Sequence, residues 1–109
     1  MYGASQFKYM LAKRTVDGLG GYEVDLIDTG KRLLGYLDLM SGTNKSMGSH
    51  NAVIEQSTHV LIVPDFRNDL SDDGYIVDES GRVYSITFID NPVGVNHHLE
   101  IFLELEKEG

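Results

Sequence analysis

The chain has 109 residues, with 9 Lys and Arg against 17 Asp and Glu for a formal net charge of −8, and no cysteine. That length supports one domain, residues 1–109, built on one modest core. The lack of cysteine excludes disulfides, thiolate zinc sites and thiol nucleophiles, and an acidic chain without a basic patch argues against tight nucleic-acid binding, which works by neutralising phosphates.

No apolar run is long enough to span a bilayer, so no membrane association is expected, and the opening "MYGASQFKYM" lacks the basic-then-apolar order of a signal peptide. Synthesis and residence in a cytoplasm follow as the expectation. In chain order, Phe7 to Thr15 and Tyr22 to Ile27 alternate apolar and polar residues around "VDGLGG". Its Asp-Gly and Gly-Gly steps supply the positive φ angles of a tight turn, which predicts a first hairpin. After "DTGKR", Leu33 to Met40 sets Leu33, Leu37 and Leu39 against Leu34, Tyr36 and Asp38, with Gly35 as a bulge or bend. Thr58 to Val63 alternates until Pro64 removes a ladder donor.

Beyond "PDFRNDLSDDG", Tyr75 to Val77 is a short strand. "DESG" turns the chain into Val83 to Ile89, where Tyr84, Ile86 and Phe88 share a face. The last strand, Leu99 to Leu105, points Leu99, Ile101, Leu103 and Leu105 one way, and Glu100, Phe102 and Glu104 the other. Strands at this spacing predict an all-β fold, a small antiparallel β-barrel or sandwich of about six to seven strands, closed to avoid free edges. The helical candidate is one short turn around Asn51 to Gln56. A long Gly/Ser/Asn-rich loop, residues 41–57, separates two good strands, and loops of that length in compact domains are usually functional or mobile.

Catalytic chemistry finds no constellation. No serine sits in a G-x-S-x-G context, and "GLGG" lacks the following helix that would hold a phosphate. No cofactor is implied, and the chain reads as a non-enzyme. The adjacent His97 and His98 would face opposite sides of an extended strand and could not share an ion, so they read as a polar turn. His50 and His59 are isolated, and Asp65, Asp69, Asp72 and Asp73 miss the EF-hand spacing, which leaves a solvated turn and no metal site.

Three stretches carry a resemblance: "LGYLDLMSG" at Leu34 to Gly42, "QSTHVLIVPDF" at Gln56 to Phe66, and "SGRVYSITFIDNPVGVNHHLEIFLE" at Ser80 to Glu104. In these the chain resembles the head-completion proteins of long-tailed bacteriophages, the head–tail adaptor, head-closure or stopper proteins. It departs from their pattern in the Gly/Ser/Asn content after the Ser-Gly step and in the Asp-rich run between Pro64 and Tyr75. The resemblance implies a virion protein, made in the bacterial host cytoplasm. It would form a homo-oligomeric ring, a dodecamer in the virion, below the portal and its adaptor.

That ring would close the DNA channel after packaging and offer the tail terminator or tail-joining protein a docking surface. Double-stranded DNA would pass without sequence-specific contact. The channel-facing gating loop implied is Thr43, Asn44, Lys45, Ser46, Met47, Gly48, Ser49, His50 and Asn51. The alternatives are another small tail-joining or tail-terminator component of the same virion, and a barrel module binding peptide or oligonucleotide, as OB and SH3-like folds do.

Overall fold

Each alternating run read from the sequence falls in a strand of the computed structural model, which describes residues 4–40 and 57–108. The strands are β1 (Ser5–Val16), β2 (Tyr22–Leu39), β3 (His59–Val63), β4 (Tyr75–Val77), β5 (Val83–Asp90) and β6 (Leu99–Lys107). All pairings are antiparallel, and the sheet closes as a barrel in the order β1-β2-β3-β6-β5-β4, with β4 hydrogen-bonded back to β1. The all-β expectation holds, and closure settles the choice between barrel and sandwich.

Inward positions follow the period of two. Phe7, Leu33, Leu61, Ile76, Tyr84, Ile101 and Leu103 are fully buried and pack with Tyr9, Val63, Ile86 and Leu99 into one cluster. At about 1.5–3 kcal/mol for each large side chain buried, this cluster is the main stabilising contribution. It also fills the barrel, so the centre is a packed core and not a passage. Phe66 and Leu70, from the loop after β3, tuck against the cluster and cover one end.

Two irregularities shape the rest. The sequence predicts separate strands at Tyr22 to Ile27 and Leu33 to Met40, but β2 runs through both. Between the pairs Lys8↔Arg32 and Met10↔Asp28, the residues Thr29, Gly30 and Lys31 stand opposite Tyr9 alone. Gly30 takes φ +85°, a left-handed conformation suited to glycine. Its N–H donates to Asp28 Oδ1 at 2.9 Å, while the Thr29 hydroxyl donates to the Tyr9 carbonyl at 2.7 Å. Turn chemistry is thus spent on a bulge inside a strand.

The second irregularity lies in β5, whose register to β6 shifts between Ile86 and Phe88. Tyr84 and Ile86 point inward as expected, but the bulge at Thr87 reverses the alternation and turns Phe88 outward against Phe102, ring centroids 6.2 Å apart. The expectation that Phe88 shares the inner face is corrected on this point. Pro92–Gly94 forms a single 3-10 turn, a helical piece the sequence reading did not place.

Candidate functional site

The predicted gating residues Thr43 to Asn51, and the helical turn expected at Asn51 to Gln56, lie outside the described residues. Their anchorage is visible. Met40 and Ser57, which flank that segment, are both buried at the barrel end that carries Ser5, Asp78 and Arg82. The Met40 N–H donates to the Thr58 carbonyl at 2.9 Å, and the Thr58 N–H to the Leu103 carbonyl at 2.7 Å. Thr58 Oγ1 accepts from the Leu105 N–H at 2.8 Å. Ser57 Oγ lies 2.6 Å from Thr87 Oγ1, which in turn donates to the Phe102 carbonyl. The β5 bulge is what brings Thr87 to this clamp. The sequence reading placed Ser57 at the tail of the polar loop and Thr58 at the start of a strand, without showing that they clamp β5 and β6.

Beside the clamp lies a small polar cluster. His59 Nδ1 is 2.8 Å from Thr58 Oγ1, and its ring meets Tyr84 edge-on at 5.1 Å. Burial, with Arg82 adding to it, holds the His59 pKa below 6.5, so the ring favours the neutral form. Asp78 Oδ1 accepts from the Ser80 and Arg82 backbone N–H groups, and Oδ2 from the Tyr84 hydroxyl at 3.1 Å. Burial raises the Asp78 pKa, but these hydrogen bonds together outweigh it and the net shift is downward. A shallow groove of about 610 Å³ opens here, lined by Phe7, Leu37, Asp38, His59 and Arg82 among others.

His97 and His98 do not face opposite ways. Their Nδ1 atoms are 3.1 Å apart, and His98 Nε2 is 3.3 Å from Glu100. The reason is local: Asn96 has φ +58° and both histidines precede β6, so they lie in a bend and the rule for extended strands does not apply. No group of three or more ligating side chains that could hold a metal ion occurs among the described residues. In the acidic loop, Asp69 takes a two-pronged ion pair from Arg67 (2.7 and 2.8 Å), which holds its pKa well below the usual carboxylate value. Lys31 Nζ reaches the Asp69 carbonyl at 2.7 Å, and Arg67 donates to the Arg32 carbonyl at 2.9 Å. The loop is thereby tied to the β2 bulge.

The largest feature that sequence reading missed is an arm. Past the bulge, β1 and β2 leave the barrel as a free hairpin, and every residue from Leu11 to Asp25 is exposed. An Asp17 cap closes its tip, with Oδ1 accepting from the Leu19 and Gly21 N–H groups. The molecule measures 46 × 28 × 27 Å. Residues paired across an antiparallel ladder share a face. One arm face therefore carries Ala12, Arg14, Val16, Tyr22, Val24 and Leu26, with the Arg14 guanidinium 4.4 Å from the Tyr22 ring centre, while the other carries Lys13, Thr15, Glu23 and Asp25 between Leu11 and Ile27.

The outside of the barrel has a matching kind of surface. Ladder register aligns Asp38, Val60, Phe102 and Phe88 in one outward row, and Tyr36, Ile62, Glu100 and Asp90 in the next. This wall mixes apolar Val60, Ile62 and Phe102 with acidic Asp38, Asp90 and Glu100.

No family model and no curated protein matches the chain. Among solved structures, it is similar to the solution structure of protein SF1141 from Shigella flexneri 2a, with a TM-score of 0.68 and 20% identity over 96% of this chain and 94% of that one. At that identity the likeness shows the fold. No helix among the described residues is long and apolar enough to cross a membrane.

Proposed function

We propose that the chain is a structural subunit of the head–tail connector of a long-tailed bacteriophage. It acts without catalysis, by joining copies of itself into a ring below the portal and adaptor that retains packaged DNA and receives the tail. The observation that carries this reading is the arm. A chain that closes a barrel around one core and still extends a hairpin with an unburied apolar face has surface left over for other chains.

Three further points support it. The sequence stretches that resemble the head-completion proteins cover β3 and β5 and parts of β2 and β6. Because the barrel is filled, any DNA passage runs between subunits, and Met40 and Ser57, which flank the implied gating loop, are held by a hydrogen-bonded clamp at one barrel end. A net charge of −8 disfavours adhesion of passing phosphates.

The test is to add the purified protein to DNA-filled heads of its own phage that lack it. Co-sedimentation with the heads and protection of their DNA from nuclease are expected. If the protein neither binds filled heads nor oligomerises on them, the reading fails. The groove beside His59 and Arg82 favours a second reading, a barrel module that binds a peptide or oligonucleotide. Saturable binding of single-stranded DNA or an extended peptide at low salt, lost in Arg82→Ala, would select it.

A further inference from the structure

We infer that the arm of one copy lies across the β3–β6–β5 wall of a second copy, so that the chains join head to tail; this deepens, and rests on, the reading of the chain as an assembly subunit. Three observations name a second copy as the occupant.

The first is charge. Between Met10 and Leu26 the apolar arm face carries Arg14 and no acid, whereas the two wall rows carry Asp38, Asp90 and Glu100 and no Lys or Arg. The arm's acids Glu23 and Asp25 lie on its other face, beside Lys13. Opposite potentials of this kind set register and speed encounter.

The second is shape and polarity. The arm is a two-stranded ribbon, and it presents Val16, Val24 and Leu26 to a wall that carries Val60, Ile62, Phe88 and Phe102. Both are pleated β-surfaces on which apolar side chains stand among charged ones, a mixture that protein interfaces carry.

The third is topology. In the closed order β1-β2-β3-β6-β5-β4, β6 lies three strands from β1 in either direction. The arm continues β1 and β2 past the bulge and is ladder-paired with none of β3, β5 and β6, while the wall draws only Tyr36 and Asp38 from β2, so arm and wall are two different patches of the chain. A contact between two different patches is heterologous, and such contacts close into rings when the rotation allows.

Because the chain has no cysteine, single-cysteine variants report the contact directly. Val24→Cys and Ile62→Cys proteins, mixed at millimolar concentration with a short bis-maleimide, are expected to give an arm–wall product at least tenfold above either self-product. With both changes on one chain, a ladder of multimers is expected. Arg14→Glu is expected to lower the arm–wall yield at least tenfold, and adding Glu100→Arg to restore it; Asp90→Arg serves the same purpose if the Glu100 variant loses thermal stability.

Absence of the arm–wall product, or a predominance of arm–arm product, overturns the inference. The two proposals fail separately. Assembly on filled heads without an arm–wall product removes this contact and leaves the connector reading. An arm–wall product in a protein that never binds filled heads removes the connector and leaves the contact.

Discussion

Gly35 is the position at which the packing argument is most exposed to test. It is buried in β2, and its φ is not in the left-handed region, so any cost of adding a side chain there comes from space. A Cβ on Gly35 would meet the Ile62 carbonyl oxygen at 2.5 Å, Leu61 Cδ1 at 3.0 Å and the Ile62 carbonyl carbon at 3.3 Å. Ordinary contact starts at 3.4 Å, so the β3 backbone must retreat by 3.4 − 2.5 = 0.9 Å. Leu61 is fully buried and cannot swing clear.

Overpacking of this kind costs about 1–3 kcal/mol, and loosening one β2–β3 ladder bond adds about 1 kcal/mol. Replacing glycine by alanine returns about 0.5–1 kcal/mol through the unfolded chain. Gly35→Ala is therefore expected to lose about 1–3.5 kcal/mol, with a mid-range value of about 2 kcal/mol. At an unfolding entropy of about 2.1 cal/mol/K per residue, that is a fall in Tm of about 10 °C, read by calorimetry and by the urea midpoint. Gly20→Ala is the control, because its added Cβ would touch nothing while its φ of +90° imposes strain alone, worth about 1–2 kcal/mol. A Gly35→Ala protein as stable as the parent, or one no worse than Gly20→Ala, refutes the steric reasoning.

Three other outcomes are expected. Replacing residues 12–26 by Asn-Gly, which joins the paired Leu11 and Ile27 through a two-residue turn, should leave Tm within about 3 °C, since the arm holds none of the buried core; a loss of cooperative unfolding in calorimetry would contradict that. Val93 has φ +59° and is almost fully exposed, so Val93→Gly should raise stability by up to about 1 kcal/mol in urea unfolding, and a destabilised variant would show that the strain is absent. Acidification should act in two stages. His59 binds its proton less readily folded than unfolded, so stability falls as pH drops below 6.5 toward its lowered folded value; Asp78 holds its carboxylate more firmly when folded, so stability falls again as pH drops below 3.8 toward its own lowered value. His59→Asn should flatten the first stage and Asp78→Asn should lessen the second, to which Asp28 and Asp69 also contribute because Arg32 and Arg67 hold their carboxyl pKa values low, in urea midpoints measured against pH; an unchanged slope in either variant would remove that group as a cause.

The strands and their inward residues were legible because period-2 alternation is a local signal. Leu99, Ile101 and Leu103 needed no partner to declare their face. What failed were the places where one local signal serves two ends. Asp28-Thr29-Gly30 satisfies its own N–H groups as a turn does, and only its position opposite Tyr9 makes it a bulge. Thr87 breaks an alternation that continues correctly in type, so Phe88 looked like a core residue. The arm was hidden for a different reason: alternation in Leu11 to Val16 says which side would be buried, not whether anything arrives to bury it. The histidine pair misled because strand geometry was assumed two residues before the strand begins. The wall could not be read at all, since its rows combine residues from four strands that only the closed order brings side by side.

The continuity of β1 from barrel to arm also has a mechanical meaning. A pull on the tip along the strands does not peel the hairpin open bond by bond. It is resisted by β1 sliding against β4 at Lys8 to Met10 and by β2 sliding against β3 at Tyr36 to Leu39, where the ladder bonds lie across the load and must yield together. The bulge, fastened to the 65–74 loop through Lys31 and Arg67, braces the root of the lever. A subunit held by such an arm is loaded in shear, the direction in which a small sheet is strongest.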